Sequence, residues 1–155
     1  MIEQCKAQGI ITSLYELTET VGEDLWDIRV HSTKWTLKEI IGHLVDSASN
    51  NHQRFVRLQF SDLETLDPYE AEPWVAIQRY ADFETNRLVQ LWHSFNELIL
   101  HFAFSSRAVA LGHVWKTKDG PKRLDFLITD YYDHMQGHID HFRKRRTEVL
   151  EFIAK

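Results

Sequence analysis

Nine of the chain's 155 residues are histidines, and two of them, His134 and His138, stand four positions apart. On a helix that spacing brings their Cβ atoms to about 5–6 Å, close enough for two imidazoles to share one ion. Advancing about 100° per residue, Asp130, His134, His138, His141 and Arg145 fall on one polar stripe beside an apolar arc. A third ligand has to come from another element. His43, on the margin of a second amphipathic run beyond Ile40, supplies it if the two margins meet across a groove. Three neutral imidazoles suit Zn²⁺ or Ni²⁺ first and Fe²⁺ or Mn²⁺ after them, rather than Ca²⁺ or Mg²⁺, which want oxygen. Three protein ligands also leave a coordination position open, where an ion would acidify a bound water or thiol.

The neighbours of these histidines have candidate roles by position. Asp46, one turn beyond His43, and Asp130, one turn before His134, are placed to orient imidazoles through their free nitrogens. Arg145 is a candidate to hold an anionic group. His141 shares the stripe and is read as a pocket wall or a support behind the ligands, with replacement of His134 as the alternative. Histidine pairs at this spacing also arise by chance in a histidine-rich chain, and His31, His52, His93 and His101 read as ordinary surface or half-buried residues.

Several reaction classes fall away. The stretch His134-Met135-Gln136-Gly137-His138 lacks the glutamate of the His-Glu-x-x-His metalloproteases. There is no Glu-x-x-His pair for a ferritin-like di-iron site and no Gly-x-Ser-x-Gly for a serine hydrolase. A net charge of -5 and a pI near 6.0 argue against a surface built for nucleic-acid phosphate backbones, so Arg143-Lys144-Arg145-Arg146 reads as a solvated face rather than a nucleic-acid site.

Four helices must position the histidines. The first runs from about Gln4 to Val21, with Ile10, Ile11, Leu14 and Leu17 on its core face. The second opens on a capping box, Thr36-Leu37-Lys38-Glu39, with Trp35 as a hydrophobic staple on Ile40, and its core face reads Leu37, Ile40, Ile41, Leu44, Val45, Ala48. Asp62–Trp74, with two prolines and many acids, reads as a surface loop. The third helix takes Tyr80, Phe83, Leu88, Leu91, Phe95, Leu98, Ile99 and Phe102 as its buried stripe. A short hairpin around Asp119-Gly120 follows, with His113, Val114 and Trp115 on one strand. The last helix begins near Pro121 and runs almost to Lys155, burying Leu124, Leu127, Ile128, Tyr131, Met135, Phe142, Val149 and Ile153.

The run Trp35-Thr36-Leu37-Lys38-Glu39-Ile40-Ile41-Gly42-His43-Leu44-Val45-Asp46-Ser47 resembles the second-helix signature of the DinB-like (DinB/YfiT) family, in which that histidine is a metal ligand. Tyr132-Asp133-His134-Met135-Gln136-Gly137-His138-Ile139-Asp140-His141 resembles the family's last-helix pattern, His-x-x-x-His. The resemblance covers nearly the whole chain in order and spacing. It implies an all-α, up-and-down four-helix bundle with a short irregular or hairpin segment before the last helix, and His43, His134 and His138 as the metal triad. The family often has glutamine where His141 stands, which leaves that residue's role open.

Some members of the family are thiol-dependent transferases or isomerases that use bacillithiol, mycothiol or glutathione, and many have no assigned reaction. The expectation is therefore a metal-dependent enzyme on a small molecule, foremost a thiol S-transferase whose metal activates the thiol. The alternatives are a hydrolase using metal-bound hydroxide and a non-catalytic metal-binding or interaction module. One domain over residues 1–155, a cytoplasmic setting suggested by the lone Cys5, no membrane or nucleic-acid partner and a possible homodimer complete the expectation.

Overall fold

The capping box at Thr36 forms as the sequence predicts: the Glu39 N–H donates to Thr36 Oγ1 at 3.1 Å, and the Thr36 N–H donates to Glu39 Oε2 at 2.8 Å. These two bonds satisfy donors that no helical carbonyl can reach, and the helix α2, Leu37–Leu58, starts there. A computed structural model describes the whole chain, Met1–Lys155. The other long helices are α1, Gln4–Glu19, α4, Thr85–Phe104, and α5, Leu124–Ile153. A short α3, Ala71–Gln78, lies between α2 and α4.

Side-chain contacts fix the helix directions. Ile2 N–H donates to Thr129 Oγ1 at 3.0 Å and Arg146 donates to the Thr20 carbonyl at 3.3 Å, so α1 and α5 run parallel. Gln8 reaches Glu97 and Gln90 reaches Tyr15, both at 2.7 Å, so α1 and α4 run antiparallel. Lys38 donates to the Ala81 carbonyl at 3.2 Å and Gln59 donates to Ser106 Oγ at 3.0 Å, which makes α2 and α4 parallel. The bundle is therefore up-down-down-up. Both α1 and α2 pack between α4 and α5, which puts the consecutive pair α1 and α2 on a diagonal.

This corrects the up-and-down expectation, and the reason is the crossover. Parallel neighbours about 33 Å long cannot be joined by a short turn, and residues 59–84 carry the chain back along the bundle. Within that return, the last four residues of the expected Asp62–Trp74 loop, from Ala71 on, are helical. Pro73 sits in the first turn of α3, where a missing N–H costs nothing, Val75 is buried, and Arg79 closes the helix in the left-handed region at φ 52°. Tyr80 and Phe83 precede α4 rather than belonging to it: Tyr80 lies in a 3-10 turn, and Phe83 is exposed.

The buried stripe of α4 is also shifted from the expected one. Leu88, Val89, Trp92, Asn96, Ile99, Leu100 and Ala103 face inward, while Leu91 and Leu98 face solvent. Asn96 tolerates this because its amide donates to the Trp92 carbonyl at 2.8 Å and accepts from Tyr131 Oη at 2.5 Å. A two-stranded hairpin, β1 (Val114–Thr117) and β2 (Gly120–Arg123), bridges α4 to α5, with Gly120 at φ 109° where only glycine is unstrained. Leu63 of the crossover bonds to both sides of Trp115 on β1, at 2.9 and 3.0 Å. Pro121 lies in β2, so α5 starts at Leu124 instead, and at its far end Ile153 is half exposed rather than buried. The chain is mostly helical, with this small sheet as the exception, and no helix is long and apolar enough to cross a membrane.

Candidate metal centre

Gly42 is what lets the crossover lie against α2 next to His43. A Cβ there would stand 2.1 Å from the Tyr80 ring, far inside contact distance. With hydrogen in its place, Tyr80 seats on the helix and its hydroxyl donates to Asp46 Oδ1 at 2.6 Å, while Gln78 donates to the same oxygen at 3.2 Å. Asp46 thus anchors the crossover and makes no hydrogen bond to His43, whose Nδ1 has no partner, which corrects the orienting role expected of it. Its carboxyl is pushed above the usual range by burial, against the two hydrogen bonds that favour the charged form.

One residue along, His43 is 5 % exposed, its ring 4.9 Å from the Trp35 ring. Trp35 therefore backs the imidazole itself. From α5, His138 brings its Nε2 to 3.2 Å from His43 Nε2, and His134 brings its own to 3.0 Å from His138 Nε2. One nitrogen from each of the three lies within 4.8 Å of the other two. Around a tetrahedral ion with bonds of about 2.0–2.1 Å, ligand nitrogens sit about 3.3 Å apart, so two of the separations already approach that spacing. Exposure rises from His43, which is buried, through His138 to His134, which is exposed. The cluster has a closed end and an open one.

The electrostatics favour neutral rings. Burial, then the neighbouring His134, lowers the His43 pKa to about 4, with Glu72 pulling weakly the other way. Burial, then His43 and His134, lowers that of His138 to about 3. Both rings are thus unprotonated near neutrality, the form a metal requires. The Nδ1 atoms of His43 and His138 are buried without a partner. A ring carrying its proton on Nδ1 turns the Nε2 lone pair toward the cluster, and lone pairs gathered in this way cannot satisfy one another. A cation satisfies all of them, so the donor set fits one divalent ion.

The other predicted residues fall in different places. Asp130 lines a cavity of about 270 Å³ that opens beside His43 and His134. His141 stands behind the cluster, its ring 6.1 Å from that of His138 and its Nε2 3.3 Å from Arg145 Nη2. Arg145 is buried on Glu148, with Nε donating at 2.9 Å, so it is turned to its own helix rather than to a substrate. Sequence reading missed Ser47, Asn51, Arg54 and Tyr69, which line the cavity with the histidines. The signal for three of them was present: His43, Ser47, Asn51 and Arg54 recur at helical spacing along one face of α2.

No family model matches the sequence, and no curated protein matches it. The fold matches that of YfiT from Bacillus subtilis, described as "a probable metal-dependent hydrolase with an unusual four-helix bundle topology", with a TM-score of 0.80. The match covers 92 % of this chain and 82 % of YfiT at 16 % sequence identity. The YfiT-type bundle expected from the two histidine motifs is thus the fold the chain has.

Proposed function

We propose that this chain is a metal-dependent enzyme acting on a small molecule, with His43, His134 and His138 as ligands of one divalent transition-metal ion. The observation that carries this reading is the convergence of three imidazole nitrogens from two helices beside a cavity of about 270 Å³. Such an ion supplies Lewis acidity, lowering the pKa of a water or thiol and polarising a carbonyl or similar group. Zn²⁺ or Ni²⁺ suits the donors best, and Fe²⁺ or Mn²⁺ is compatible.

The chain's own residues supply the rest. Trp35 holds the His43 ring in place, and His138 is fixed from the adjacent helix. Asp130, on the cavity wall one turn before His134, is the carboxylate able to take the proton that a nucleophile gives up there. The bundle wall behind His43 excludes water from one side, which strengthens every electrostatic interaction on that side.

Two chemistries use this arrangement. Hydrolysis is supported by the description of YfiT. Thiol transfer uses the same site, because a thiol with an ordinary pKa of about 8.5 needs less help than water to lose its proton. The deciding experiment measures metal content in untagged protein reloaded with Zn²⁺ or Ni²⁺. It then follows turnover of a panel of esters, amides and electrophiles with and without added thiol. The expected result is one ion per chain in the wild type, almost none in His43→Ala or His138→Ala, and turnover only when metal is loaded. Conversion without thiol selects hydrolysis, and conversion that requires thiol selects transfer. A wild type that takes up no metal overturns the reading.

A further inference from the structure

Arg54 is a buried cation without a counter-ion. It is 9 % exposed and takes part in none of the chain's ion pairs. Of its N–H groups, Nη1 donates to Asn51 Oδ1 at 3.2 Å, while Nε is buried with no partner. Its guanidinium lies over the Trp115 ring, 4.4 Å from the centroid, so β1 covers one face while the donors remain in the guanidinium plane. Burying a charge in this way is costly unless something pairs with it.

The surroundings hold Arg54 in position without neutralising it. Asn51 donates through Nδ2 to the Ser47 carbonyl at 2.9 Å, which turns its amide oxygen toward Arg54. Asp130 shares the cavity and makes no ion pair with the guanidinium. Burial works against the charge, and Tyr69 only partly offsets this. All of these groups line the same cavity as His43 and His134.

We propose that Arg54 is the binding residue for an anionic group, a carboxylate or a phosphate, on the same small molecule whose reactive group lies at the histidine cluster. The proposal rests on the assigned metal-centre function only for which end of the molecule reacts. Eleven residues of α2 separate the Cα atoms of His43 and Arg54 by about 16 Å. The arginine side chain leans back toward the helix N-terminus, which leaves a span on the order of 10 Å between the two groups. The substrate is therefore elongated, with its anion at the end away from the reacting bond. A fork of parallel N–H donors recognises a carboxylate or phosphate oxygen pair more tightly than a neutral amide.

The test uses hexanoate and hexanamide, two chains of equal length that differ in charge, titrated into metal-free and Zn²⁺-loaded protein. Binding is followed by NMR, including the Arg54 Nε–Hε signal. Hexanoate is expected to move that signal and to bind at least ten-fold more tightly than hexanamide in both forms. The preference should vanish in Arg54→Gln and persist in part in Arg54→Lys, which keeps a charge but not the fork. Inorganic phosphate, titrated alongside, shows which oxyanion is preferred, and binding of either supports the assignment. Equal binding of hexanoate and hexanamide by the wild type, with no phosphate binding that is lost in Arg54→Gln, overturns it, as does a preference for hexanoate that survives unchanged in Arg54→Gln. Absence of Zn²⁺ uptake counts against the metal-centre reading alone, because the metal-free comparison still decides the role of Arg54.

Discussion

His43 and His138 differ from free imidazoles in that protonation has to work against burial and then against neighbouring histidines, His134 for His43, and His43 and His134 for His138. A ring whose folded-state pKa lies below its ordinary value of 6.5 takes up its proton on unfolding, so acid pulls the chain toward the unfolded state. The stability gained by keeping these rings neutral is complete above pH 6.5 and is lost as the pH falls from there toward 4. His134 and His141 add positive charge facing both rings, whereas Glu72 faces His43 with the opposite sign. Asp46 acts in the other direction, since its raised pKa favours the fold at low pH and that contribution fades as the pH rises through it. Metal-free protein unfolded in urea at a series of pH values should therefore lose stability between pH 6.5 and 4. His43→Gln with His138→Gln should flatten that slope, and a slope unchanged in the double variant would show that other groups carry it. These histidines were legible in the sequence because two share a helical spacing and the third lies on the margin of a second helix, inside a run that resembles the family signature. Asp46 was misread for a physical reason: its partners, Tyr80 and Gln78, come from a segment more than thirty residues away whose packing no local pattern encodes.

The elements that hold the centre depend on one close approach, that of the crossover to α2 at Gly42. Gly42→Ala places a methyl group inside the Tyr80 ring, so the 3-10 turn must lift away and the Tyr80–Asp46 bond must stretch or break. Overpacking together with a lost hydrogen bond to a buried carboxyl gives an expected destabilisation of at least about 2 kcal/mol. Urea unfolding of the variant measures it, and an unchanged midpoint would mean that the crossover moves off α2 at no cost. Elements set by local chemistry were readable: the Thr36 capping box and the hairpin before α5 both form. Elements set by tertiary contact were not. The helix α3 exists because Val75 finds a buried position, and the face of α4 turns because Trp92 and Asn96 are inward while Leu91 and Leu98 are left outside. A periodic apolar pattern gives the width of a stripe better than its centre, and a buried asparagine with two partners is invisible to hydropathy.

At the scale of the whole molecule, periodicity gave four amphipathic helices but not which pairs touch, because every apolar stripe suits any partner. The length of the segment between α2 and α4 was the available signal, since neighbours in a simple bundle are usually joined by about 2–8 residues. The resulting up-down-down-up order sets α2 antiparallel to α5, so His43 near the start of one meets His134 and His138 midway along the other. A metal ion held there ties together two helices that are distant in the chain, and it does so only in the folded state. An ion that binds the folded form alone stabilises it by about 2.7 kcal/mol at a free concentration a hundred times its dissociation constant. For a chain of this size, each kcal/mol raises the midpoint by roughly 2–4 °C. Calorimetry of metal-free protein with added Zn²⁺ should therefore show the midpoint rising by roughly 5–10 °C under those conditions. His138→Ala should abolish the rise, because its Nε2 lies within about 3 Å of both partners and its loss leaves two ligands on separate helices. A rise of equal size in that variant would place the bound ion elsewhere, on exposed carboxylates or on histidines outside the cluster.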